Sequence, residues 1–360
     1  MTSRHGCGAR RRATRGSVAL SAGLALVLLA GACGGGGSKT KATAQTGSST
    51  TAAPTTTAPP TVPSPITGLP VDPTVVGRPV VSVKVDNGPD GRPQAGLDKT
   101  DLMVEEKVEG GVTRFISVFQ SQDADLIGPI RSVRTTDANI VAAFGGVFVF
   151  SGGAGIAVKR IQGAPVKLVS EQENGADPFI YPPGKRRPYM TYSSTQKLRK
   201  AGGASPKELS PFFSFLAEGE EFAPAGVAPA TKATVGFGGN TTATFDWDAA
   251  SRTWLRSTNG VPHTLQDGSR LAFTNVILQS VPYRGVGYLD ASKTAVDEAV
   301  VVGTGDAVVL VDGKQVKARW TKSSPAELTR YTDSAGNPIK LLPGRTLVVL
   351  PPTSASISIS

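Results

Sequence analysis

Hydrophobic and polar positions alternate most clearly between residues 78 and 120. In RPVVSVKVD, Val81, Val83 and Val85 share one side of an extended chain, so residues 78–86 are expected to form a half-buried strand. Residues 102–108 and 112–120 are expected to form two more, with Phe115 and Phe119 on a common side. Glu109-Gly110-Gly111 joins them as a hairpin turn in which glycine supplies the positive φ. Glu105, Glu106, Lys107, Glu109 and Arg114 then take exposed or partly exposed positions. Thr136 or Asp137 fits the N-cap of a helix running to Ala143. Residues 146–151 (GVFVFS) read as a buried strand, followed by Gly152-Gly153-Ala154-Gly155 and a helix over 156–162. A further helix is expected over 195–201, capped by Ser193 or Ser194.

After residue 231 the pattern changes to short strands, expected at 234–237, 243–247, 253–257, 271–281, 300–303, 307–311, 315–321 and 346–350. Asp312-Gly313 is a type I′ turn signal between two of them. Residues 218–231 (EGEEFAPAGVAPAT) are acidic, then rich in Pro and Ala, and mark a linker. The expected fold class is α+β. A mixed sheet with flanking helices forms an N-terminal domain over 65–217. A smaller, mostly-β C-terminal domain covers 232–360, as a sandwich, a barrel or an extension of the first sheet.

Before residue 65 there is no periodicity of either kind. Residues 1–32 read as a signal peptide: an arginine-rich start, then twelve apolar residues at 18–29, too few to span a bilayer core of ~30 Å. Leu29-Ala30-Gly31-Ala32-Cys33 resembles a bacterial lipobox, with Ala30 where leucine is commonest. Read this way, Cys33 carries lipid and holds the exported protein at the outer face of the cytoplasmic membrane. The alternative is an ordinary cleavage nearby that leaves Cys33 free. Residues 33–64, Gly-rich and then Thr/Ala/Pro-rich, cannot bury enough surface to offset their ordering entropy and read as a disordered tether.

Charge changes this picture little. The formal net charge is +10, but five arginines lie in the first fifteen residues; without them 33 basic residues face 28 acidic ones, a net of +5. No stretch is basic enough to argue for nucleic acid. Cysteine and histidine are more restrictive. Beyond Cys33 the chain has no cysteine and one histidine, His263. An internal disulfide framework is excluded, and a Cys/His zinc site lacks ligands. A Ser-His-Asp triad would have to use His263, which as a lone histidine reads as a surface or packed residue. No cofactor and no metal site is expected.

Three longer segments carry a resemblance: ITGLPV (66–71), VDNGPDGRPQAGLDKTDLMVEEKVEGGVTRF (85–115) and FQSQDADLIGPIRSVR (119–134). Trp320-Thr321-Lys322, Tyr331-Thr332-Asp333 and Pro343-Gly344-Arg345-Thr346 continue it. The chain resembles the YerB-like bacterial lipoprotein family, with its domain of unknown function 3048 in N- and C-terminal parts. The resemblance implies a cell-surface lipoprotein and no established reaction.

The candidate chemistry must come from the residues. Asp86, Glu105 and Glu106 are the weak catalytic candidates, as acid and base, against a reading of the hairpin acids as a solvated, ion-paired face. Arg131 and Arg134 stand just before a helix start. With Arg114, Gly152 and Gly153 they form a candidate anion site, unless acids such as Asp86 or Glu105 pair with them. Lys185, Arg186 and Arg187 with Tyr189 and Tyr192 form a basic, aromatic loop suited to a sugar or an acidic polymer. Two functions remain open. One is a non-catalytic binding protein that recognises an anionic cell-wall polymer or an envelope protein. The other is a carboxylate-dependent envelope hydrolase or transferase acting on a phosphate-containing or glycan substrate.

Overall fold

The computed structural model describes residues 60–239, 241–290 and 293–360. The signal peptide expected at 1–32, Cys33 and most of the tether expected at 33–64 lie outside the described residues. Alternation produces the first strands: β1 (Val81–Asp86), β2 (Leu102–Lys107) and β3 (Thr113–Phe119). Helix α1 (Asp137–Val141), β4 (Val147–Val149), α2 (Gly155–Gln162), β5 (Lys167–Val169) and α3 (Thr195–Gly202) follow. Ser194 caps α3 through its side chain, which accepts from the Lys197 N–H.

Strands β6 (Lys232–Gly236), β7 (Thr242–Asp248) and β8 (Thr253–Thr258) open the second half. Then come β9 (Asn275–Gln279), β10 (Gly303–Val311), β11 (Lys314–Lys322), β12 (Arg330–Thr332), β13 (Thr346–Leu350) and β14 (Ser356–Ile359). Asp312 and Gly313 both have positive φ, 52° and 67°, as a type I′ turn between β10 and β11 requires. The single strand expected over 271–281 is two. Ala272–Phe273 pairs with β8 and β9 pairs with β10, so the chain changes sheets at Thr274.

The larger sheet runs β12–β11–β10–β9–β13–β2–β3–β1–β4–β5, with Ala228–Pro229 added to β11. Of the readings open for the second half, extension of the first sheet describes β9 to β13. Strands β8, β7, β6 and β14 lie in a second, six-stranded antiparallel sheet. One face of the large sheet (Leu102, Val104, Ile116, Val118) packs with Ile140 and Val141 of α1 and Ala157 and Ile161 of α2. The other (Val81, Val83, Phe115, Phe119) packs with Val235, Phe245 and Trp254 of the second sheet and Leu198 of α3.

This layering changes the expected environment of the hairpin. The central strands are covered on both faces, so their polar positions are buried too. Glu105, Glu106 and Arg114 are 0%, 1% and 6% exposed, where a solvated face was expected.

Candidate functional site

Strands β1, β4 and β5 are mutually parallel, as are β9, β13 and β2. Because β3 is antiparallel to both β1 and β2, the two groups run the same way. Their carboxyl ends share one edge of the sheet, the edge at which open α/β sheets receive ligands. Asp86 ends β1, Glu106 and Lys107 end β2, and Arg114 lies near the start of β3. The two-residue period divides the polar side chains between the faces. Lys84, Asp86, Glu106 and Arg114 take the helix face; Glu105 and Thr113 take the other.

On the helix face, Lys84 is fully buried and bonded to Glu106 Oε1 and to Asp137 Oδ1 (2.6 Å). Burial pushes the Glu106 carboxyl up to about 7, with the Lys84 charge opposing. Asp137 Oδ2 accepts from the Arg134 backbone N–H (2.7 Å), which fixes the start of α1.

The arginines gather here. Arg131 Nε donates to Asp86 Oδ2 (2.7 Å) and Nη1 to the Pro188 carbonyl (3.1 Å), with the guanidinium 5.0 Å from the centre of the Tyr189 ring. Arg134 Nε donates to Glu109 Oε2 (2.7 Å), and Nη1 to the carbonyls of Ser132 and Val133. Arg134 Nη2 lies 2.6 Å from the same carboxylate, so every nitrogen of this side chain is engaged. Arg114 Nη1 donates to the Ser132 carbonyl (2.9 Å). Burial, then the Arg134 and Arg131 charges, lowers the Arg114 pKa to about 10. Three guanidiniums therefore stand around two carboxylates, Asp86 and Glu109.

The glycine loop abuts the arginine loop. Ser151 N–H donates to the Arg131 carbonyl (2.9 Å) and Val133 N–H to the Gly152 carbonyl (3.0 Å). A Cβ on Gly153 would sit 2.5 Å from Val133 Cγ1, so that glycine serves loop-to-loop contact. Beside the loops lies a cleft of 170 Å³ whose lining includes Arg131, Ser132, Ser151, Gly152, Glu171 and Arg187. Glu171 accepts from Tyr181 Oη (2.7 Å) and Ser151 Oγ (3.2 Å), and Arg187 Nη2 is 3.5 Å away. Of the sequence candidates, Arg131, Gly152 and, from the basic loop, Arg187 meet in this cleft. Arg134, Arg114 and Gly153 support it from behind.

The opposite face carries an arrangement that no local pattern announced. Glu105, fully buried, accepts from Arg256 Nη2 (2.6 Å) and Nε (3.2 Å) and from Thr113 Oγ1 (2.7 Å). Arg256 Nη1 lies 2.6 Å from His263 Nδ1. A guanidinium can only donate, so Nδ1 accepts and the ring carries its proton on Nε2. Nε2 donates to Gln94 Oε1 (2.8 Å), Gln94 Nε2 donates to Asn87 Oδ1 (3.2 Å), and Asn87 Nδ2 donates to Glu105 Oε1 (3.3 Å). The bonds close a ring. Burial, then the charges of Arg256, Arg92 and Arg270, lowers the His263 pKa to about 2. Glu105 and Glu106, adjacent on β2, thus belong to separate networks on opposite faces. Among the described residues no group of three or more His, Cys, Asp or Glu side chains could hold a metal ion, and no helix is long and apolar enough to cross a membrane.

Relatives agree with this architecture. The protein named Putative lipoprotein YerB of Bacillus subtilis (strain 168) is 26% identical over 306 residues, covering 82% of this chain and 88% of its own. The crystal structure of YerB protein from Bacillus subtilis superposes with a TM-score of 0.71 at 24% identity, covering 82% of this chain and 99% of that one. The family described as Protein of unknown function (DUF3048) matches through its N-terminal domain at residues 66–208 and its C-terminal domain at 233–348. By both matches, on the two halves of one shared sheet, the chain belongs to the DUF3048 family.

Proposed function

We propose that this is an exported lipoprotein, anchored through Cys33, that binds an anionic group of an envelope polymer or protein and performs no chemistry on it. The observation that carries this reading is the position of Arg131 in the cleft at the carboxyl ends of β1, β4 and β5. Asp86 and Tyr189 hold its guanidinium in place, and Arg187, 71% exposed, lies opposite. Ser132 adds a hydroxyl suited to an oxyanion. Binding is favoured over a carboxylate-dependent reaction because Glu105 and Glu106 are buried, oppositely directed and already bonded. Asp86 is engaged by Arg131.

Titration of the purified protein with polyglycerol phosphate, with dextran as the uncharged control, tests the reading. Arg187→Ala should weaken polymer binding about tenfold, as loss of a charge-assisted contact does, without changing thermal stability. Equal binding by wild type and Arg187→Ala, or equal binding of dextran, refutes it. Radiolabelled palmitate should enter the wild type and not Cys33→Ala; label retained in the variant refutes the anchor.

A further inference from the structure

A second cleft, of 330 Å³, opens beside the His263 ring, with Pro89, Arg92, Pro93, Val261, Pro262 and His263 in its lining. Arg92 is unlike the other partly buried arginines here. Arg78 and Arg199 pair with Asp123, Arg131 with Asp86, Arg134 with Glu109 and Arg256 with Glu105. Arg92 is half-buried, yet its side chain makes no hydrogen bond or ion pair with the described residues. Its Nε is shielded from solvent and has no acceptor.

A guanidinium drawn partly out of water without a counter-charge is costly, and the usual remedy is a carboxylate. The charges of Glu105 and Asp86 partly offset this, but neither carboxylate is bonded to Arg92: Asp86 is taken by Arg131, and Glu105 by Arg256. The His263 ring cannot supply an acceptor, because both nitrogens are used within the ring of hydrogen bonds. The cleft wall is the other half of the pattern. Three prolines and Val261, 64% exposed, present apolar surface next to the cation.

We propose that this cleft is a second binding site, for a small organic monoanion. The oxyanion, a carboxylate or a phosphate monoester, pairs with Arg92. The apolar body lies on Pro89, Pro93, Val261 and Pro262. The site is separate from the Arg131 cleft and does not depend on what binds there.

The neighbouring imidazole supplies the readout. Apart from His5, His263 is the chain's one histidine, so its ring resonances are identified by their absence in His263→Gln. The full chain is titrated separately with hexanoate, butyl phosphate and hexanol. Hexanoate or butyl phosphate should shift the His263 ring signals saturably in the wild type, and the one that does so identifies the head group. Arg187→Ala should respond like the wild type. Arg92→Gln should bind about tenfold more weakly or not at all, and Arg92→Lys, which keeps the charge, should fall between. No saturable shift with either anion overturns the proposal. So does an equal shift with hexanol, or equal affinity in Arg92→Gln.

Discussion

Replacing His263 by glutamine tests the hydrogen-bond ring through the pH dependence of stability. In the folded protein the imidazole is held neutral: Nδ1 accepts from a permanent cation and Nε2 donates to Gln94. Its pKa falls to about 2, from burial first and then from three arginine charges. In the unfolded chain the ring titrates near 6.5. Below that pH the unfolded state binds a proton that the folded state refuses, so stability falls with falling pH. The sign is that of a depressed histidine: full stability above 6.5, progressive loss below. At pH 6.5 the unfolded ring is already half protonated, so between pH 6.5 and 4.5 His263 alone should remove about 2.3 kcal/mol. Glutamine can accept from Arg256 but does not titrate. Urea unfolding of wild type and His263→Gln at several pH values isolates this contribution, because the other ionisable groups are common to both. The wild type should lose about 2.3 kcal/mol more than the variant across that window. Parallel profiles would refute the assigned tautomer and the buried neutral ring together.

Other changes probe the rest of the sheet edge. Lys84→Met leaves the Glu106 and Asp137 carboxylates buried without their shared cation; chemical denaturation should show a loss of about 3–5 kcal/mol, and a loss under 1 kcal/mol would argue against a buried ion triad. Gly153→Ala forces a methyl against Val133 and should cost about 1–3 kcal/mol. Adding Val133→Ala should recover part of that cost, so the double variant should be more stable than the sum of the single effects.

The first strands were legible because Val81, Val83 and Val85 alternate with polar residues and Phe115 and Phe119 share one side, and such spacing is a local property. The same rule misplaced Glu105, Glu106 and Arg114. It assumes one wet face, whereas these strands lie between helices and a second sheet. Lys84 shows why the rest was hidden. It sits in a polar slot of RPVVSVKVD, and nothing nearby reveals that Asp137 and Glu106 will neutralise it. Glu105 and Arg256 meet from either side of the linker, a pairing that a single sequence does not display. Arg131, by contrast, pairs with Asp86, which was one of the alternatives the sequence offered. Only the geometry separates its role from that of Arg134, whose nitrogens are all occupied. The strand Ser356–Ile359 was not expected, although SISI alternates.

The position of β13 has a consequence for biogenesis. Thr346 to Leu350 lie between β9 and β2, with Thr346 opposite Leu102. Until residues 346–350 have been made, β2 has an unpaired edge in the middle of the future sheet, flanked by buried charges without their cover. An unpaired central edge is an invitation to association between chains. Long-range closure of this kind is also slow, because loop entropy is lost before the contacts form. A protein assembled this way gains its fold only once residues 346–350 are available to pair with β9 and β2. Truncation shortly before residue 346 should therefore yield insoluble material rather than a shortened, working domain.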